Sequence, residues 1–99
     1  MSDVRAKYLR KLEESRRPRT HWRGVDPDDT QAEWLFETVE ESGEHVAVKQ
    51  VIVEPNGAVH RYSWERLEDS VGFLTDQPVK SGEGLEVIPG DDFARRWGT

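Results

Sequence analysis

Between residues 33 and 64 the sequence alternates in polarity with a period of two, which confines this stretch to antiparallel strands. In a first strand Trp34, Phe36 and Thr38 fall on one side, with Leu35, Glu37 and Val39 on the other. Glu41-Ser42-Gly43-Glu44 supplies a hairpin loop. A second strand over residues 45–53 sets Val46, Val48, Gln50 and Ile52 against Ala47, Lys49, Val51 and Val53. Its β-branched content suits a central position. Pro55-Asn56-Gly57 follows, and Asn-Gly between apolar runs is the strongest short-range hairpin signal. A third strand over residues 58–64 alternates Ala58, His60, Tyr62 and Trp64 with Val59, Arg61 and Ser63. The three strands make a meander.

Helices are expected at both ends. Residues 3–15 place Val4, Tyr8, Leu9 and Leu12 near one face, and Pro18 in Arg16-Arg17-Pro18-Arg19 stops the helix. Residues 90–97 read as a second helix, with Phe93 and Trp97 one turn apart, Asp91 and Asp92 at its start and Arg95-Arg96 in its last turn. Residues 24–29 and Ser81-Gly82-Glu83-Gly84 carry turn chemistry. Residues 71–74 form either a short edge strand or a loop pinned by Phe73. The fold class is therefore α+β: an N-terminal helix, a three- to four-stranded antiparallel meander, and a short C-terminal helix packed on one face. With 99 residues, of which 34% are hydrophobic, the chain makes one domain with a small core and no large internal cavity.

The formal charge of −6 hides a division. Residues 1–24 hold eight basic and three acidic side chains, a net of +5; residues 25–99 hold six basic and seventeen acidic ones, a net of −11. The chain thus divides into a basic helix and arm (1–24) and an acidic α+β body (25–99). Such an arm either reaches for an anionic partner or folds back on its own body.

The half from His45 onward carries an order of motifs: Val48-Lys49-Gln50-Val51, Asn56-Gly57, His60-Arg61-Tyr62, Gly72-Phe73-Leu74-Thr75-Asp76-Gln77-Pro78, then residues 93–97. This half resembles a group of short uncharacterised bacterial hypothetical proteins with a meander, a Gly-Phe-Leu-x-Asp-Gln-Pro-like segment and a C-terminal Phe-x-x-x-Trp helix. The resemblance implies the fold and carries no catalytic residue.

Several chemistries lack their residues. With no cysteine, there is no disulfide, thiolate or Cys-ligated metal, and a reducing, cytoplasmic compartment is expected. No apolar run has the roughly 18 residues of a membrane helix. His21, His45 and His60 share no metal-binding spacing, and His60, beside Tyr62 and Trp64 on one strand face, reads as a packed or half-exposed structural histidine. Asp26, Asp28, Thr30 and Glu37 match calcium-loop positions, but Gln31 stands where the loop needs glycine, so a capped turn explains these acids better. Glu65, Glu68 and Asp69 cluster after the third strand, as surface carboxylates do in a chain with twenty of them. Gly82-x-Gly84 is no phosphate loop. No cofactor is expected.

Two binding readings remain ahead of a small enzyme. The first is a non-catalytic protein-binding module, of the small immunity, antitoxin or adaptor kind, that uses Arg61, Tyr62 and Trp64 on a partly open sheet face. In it Trp34 and Trp97 are mainly structural. The second is nucleic-acid binding through residues 16–23, where Arg16, Arg17 and Arg19 would meet phosphates and Trp22 would stack on a base. Its bland counterpart packs Trp22 on the sheet and pairs the arginines with acids of the body.

Overall fold

The structure, a computed structural model, describes residues 2–25, 32–80 and 84–98. Its elements are α1 (Ser2–Glu13), β1 (Arg19–Val25), β2 (Glu33–Glu41), β3 (Glu44–Val53), β4 (Val59–Tyr62), β5 (Leu85–Ile88) and α2 (Gly90–Trp97). The expected architecture is present as a single antiparallel sheet of five strands in the order β4-β3-β2-β1-β5. The β2–β3–β4 meander was expected; β1 and β5 extend the sheet beyond it. Asp26, Asp28 and Thr30 of the calcium-like spacing and most of the 81–84 turn lie outside the described residues. Neither helix is long and apolar enough to cross a membrane.

The largest correction concerns the basic arm. Residues 19–25 form β1, bonded to β2 on one side and β5 on the other, so a division after residue 24 would cut through an interior strand. Alternation is the cause. Thr20, Trp22 and Gly24 face one side, opposite Thr38, Phe36 and Trp34, and Arg19, His21 and Arg23 face the other. Those polar side chains then meet acids across the strands. His21 lies opposite Glu37, and Arg23 lies opposite Glu86 and also pairs with Glu33.

The two faces bury different clusters. On one, Trp22, Phe36, Ala47, Ile52 and Tyr62 pack with Leu9 of α1 and with Leu74 and Val79 of the long β4–β5 connection. On the other, Leu35 and Val51 pack against Phe93 of α2, with Ile88, Val59 and Trp97 around them. Phe93 and Trp97 stack at 6.0 Å, as their one-turn spacing predicted. Gly98, at φ 94°, ends the helix by donating its N–H to the Ala94 carbonyl.

Two patterns differ from expectation. Lys49 sits opposite Glu37 but Ala47 sits opposite Thr38, so Val48 is an extra residue in a β-bulge. The bulge breaks the alternation: Ala47, rather than Val48, is buried in the core of Ile52 and Phe36, and Val46 packs against its edge. Val48 packs instead with Val39 and Leu12 of α1. Among the described side chains of α1 only Leu9 and Leu12 are buried; Val4 and Tyr8 are exposed, and the Tyr8 hydroxyl donates to Glu41. The helix is fastened at its C-terminus by Arg19, whose guanidinium donates to the carbonyls of Glu13 and Ser15 and reaches Glu37 at 3.5 Å.

Where β1 meets β5 the backbone approach is close. A Cβ on Gly24 would lie 2.9 Å from the Gly84 carbonyl oxygen and 2.5 Å from Leu85 Cδ2. Gly24→Ala is therefore expected to destabilise the fold by about 1–3 kcal/mol by prising β5 from the sheet. Urea unfolding would read the loss, and amide exchange would place it at residues 85–88.

Candidate binding groove

One cleft among the described residues is built over β2 and β3. Gln50 and Ile52 share one side of β3, Glu54 follows its last residue, and Trp34 of β2 lies opposite Ile52. The segment 71–75 crosses above them. Together Ala32, Trp34, Gln50, Ile52, Glu54, Val71, Gly72, Phe73 and Thr75 enclose a cleft of about 320 Å³. It meets a second cleft of about 390 Å³ at Trp34 and Thr75, where Phe36, Val79 and Leu85 continue the apolar floor.

The crossing segment is fastened along its length. Asp69 Oδ1 accepts from the Tyr62 hydroxyl at 2.8 Å and from the amides of Val71 and Gly72 at 2.8 and 3.0 Å. Leu74 is fully buried and donates its N–H to the Leu67 carbonyl, while Thr75 donates to Gln50 Oε1 at 2.8 Å. Arg5 reaches from α1 to the carbonyls of Leu74 and Thr75. Leu74, rather than Phe73, is the pin. Phe73 and Val71 are turned outward, 60% and 47% exposed.

This fastening sets the electrostatics. The two amides and the Tyr62 hydroxyl hold the Asp69 carboxyl below its ordinary range. Burial, then the bond to Asp69, raises the Tyr62 phenol above its ordinary value. His60 Nε2 lies 2.7 Å from Glu54 Oε2, and its Nδ1 lies 3.7 Å from Asp69 Oδ2. Glu54 is the one charged side chain among the described residues lining either cleft. The Trp34 indole N–H is buried beside the floor without a hydrogen-bond partner among the described residues, a cost of about 1–3 kcal/mol left in the free protein.

The residues singled out from the sequence do not converge here. Trp22 is buried, with its indole donating to Thr38 Oγ1 at 2.9 Å, so its ring is not presented for stacking. Arg19 is spent on Glu37 and α1. Arg16 and Arg17 are exposed, and Arg17 lies 3.4 Å from Glu41. Arg61 and Tyr62 point to opposite faces: Tyr62 is fully buried, and Arg61 is exposed beside α2, donating to the Arg96 carbonyl at 3.3 Å. Trp64 is half-buried beneath the Arg10 guanidinium, 4.9 Å from its ring centroid. The expected open aromatic sheet face is thus closed by the β4–β5 connection and α1.

Glu65 and Glu68 are exposed and line neither cleft, and Asp69 is occupied with the loop. No group of three or more metal-binding side chains occurs among the described residues. Sequence reasoning missed the groove because its walls come from three separated segments. The one local signal was the apolar run Val71-Gly72-Phe73-Leu74 inside a polar stretch. No protein family, curated protein or solved structure matches the chain.

Proposed function

We propose that this chain is a non-catalytic protein-binding module of the small immunity, antitoxin or adaptor kind, acting in the cytoplasm, and that it takes its partner on the groove beneath residues 71–75. The observation that carries this reading is an exposed Phe73 on a segment hydrogen-bonded at both ends. A mobile loop would lose ordering entropy on binding, whereas a fastened one presents its aromatic side chain in place. The floor of Trp34 and Ile52 beside it supplies the depression that a partner's side chain fills. The net charge of −6 would speed encounter with a basic partner.

The test is affinity capture from a bacterial lysate, with and without nuclease, using the wild type and Val71→Ser/Phe73→Ser. Both residues are exposed, so the variant is expected to keep the wild-type melting temperature. The expected result is a nuclease-resistant protein captured by the wild type and lost from the variant. Material that the variant retains but that is lost with nuclease or with Arg16→Ala/Arg17→Ala would move the function to nucleic acid.

A further inference from the structure

We infer that the groove is a receptor for one lysine or arginine side chain of the partner, its aliphatic stem on Ile52 and Trp34 and its cationic head on the Glu54 carboxylate. The inference rests on the protein-binding reading and specifies its ligand chemistry. Three observations lead to it.

The first is the lining. Trp34, Ile52, Val71 and Phe73 give the cleft apolar walls, Glu54 is the one carboxylate among its described lining residues, and no cationic side chain is among them. Such a site is complementary to a group that is apolar along its length and positive at its tip. The aromatic rings of Trp34 and Phe73 add attraction for a cation that a purely aliphatic wall would lack.

The second is the way Glu54 is held. Its backbone closes the hairpin between β3 and β4: its N–H donates to Ala58 O at 2.8 Å, and its carbonyl accepts from Gly57 at 2.9 Å. His60 holds Oε2 at 2.7 Å. The carboxylate is therefore set in place before any ligand arrives, which reduces the entropy cost of binding. Its side chain remains 37% exposed, open to an incoming head group.

The third is size. At about 320 Å³ the cleft lies at the small end of ligand pockets, which run from about 300 to 1,000 Å³. It is of a size that one long side chain fills, and the second cleft that meets it at Trp34 and Thr75 leaves room for the partner's neighbouring residue.

The experiment is an amide and indole NMR titration of the full-length chain with three capped tripeptides, Gly-Lys-Gly, Gly-Arg-Gly and Gly-norleucine-Gly. Norleucine keeps the lysine stem and lacks the charge. The lysine or arginine peptide is expected to give saturable shifts at the Trp34 indole N–H and the amides of Glu54, Gly72 and Phe73. The norleucine peptide is expected to bind about tenfold or more weakly, and Glu54→Gln, which keeps an acceptor for His60, to lower lysine binding to that level. Equal binding of lysine and norleucine, or shifts away from these residues, overturns the inference.

Lysate capture separates this failure from that of the functional reading. A partner lost with Val71→Ser/Phe73→Ser but fully retained by Glu54→Gln leaves the groove as the docking site and removes the cation. A partner retained by both variants removes the two together.

Discussion

Trp22→Ala is expected to destabilise the protein by about 3–5 kcal/mol, a large part of the roughly 5–15 kcal/mol available to a domain of this kind. The indole is buried on one face of β1, a strand flanked by β2 and β5, with Phe36 opposite and His45 edge-on at 5.2 Å. Truncation removes its transfer free energy and opens a cavity that neighbouring strands are too constrained to fill. It also removes the donor to Thr38 Oγ1. Trp22→Phe should cost less, about 1–3 kcal/mol, because most of the volume stays. Urea unfolding followed by far-UV circular dichroism gives both numbers. The pair also separates two roles for the residue. A folded Trp22→Phe protein with unchanged oligonucleotide affinity is the expected result, since the side chain never reaches solvent; a specific loss of that affinity would restore the basic arm as a working surface.

Tyr62→Ala should be about as damaging, again about 3–5 kcal/mol, because Tyr62 is fully buried and also ties the sheet to the groove wall through Asp69. It is unsuited to test a binding surface, since the fold would fail first. Tyr62→Phe isolates the hydroxyl. At neutral pH it is expected to cost about 1–2 kcal/mol, because Asp69 keeps its two amide donors.

The pH dependence identifies the origin of that cost. The Tyr62 phenol is raised in the folded state, so its contribution is complete below its unfolded value of about 10 and is lost as pH climbs beyond it. The Asp69 carboxyl is lowered, so its contribution is complete above its unfolded value of about 3.9 and is lost as pH falls below it. The gap between wild type and Tyr62→Phe should therefore be widest between about pH 4 and 10 and narrow on either side. A gap independent of pH would assign the cost to packing alone.

Local patterns were legible wherever one residue decides the conformation. Pro18 follows the first helix, Pro55-Asn56-Gly57 closes the β3–β4 hairpin, and the Phe93–Trp97 spacing marks the face that α2 packs on β2 and β3. The strand at residues 19–25 was also written in the sequence, as alternation of Thr20, Trp22 and Gly24 with charged neighbours. Four arginines between residues 16 and 23 concealed it, because a charge run suggests solvent until its cross-strand acids are known. Glu33, Glu37 and Glu86 are those acids, and they lie 10 to 63 residues away from the cations they meet.

The amino-acid sequence by itself determined the class of fold, the meander with its turns, and the absence of thiol chemistry, because periodicity, turn residues and composition act over a few neighbours. The tertiary structure alone decided that residues 19–25 of the basic stretch lie inside the sheet, that Tyr62 is core, and that a groove exists with Glu54 in its lining. Those outcomes depend on pairing and closure between distant segments. A cross-strand ion pair or a loop fastened by one carboxylate forms only after the chain has returned to itself.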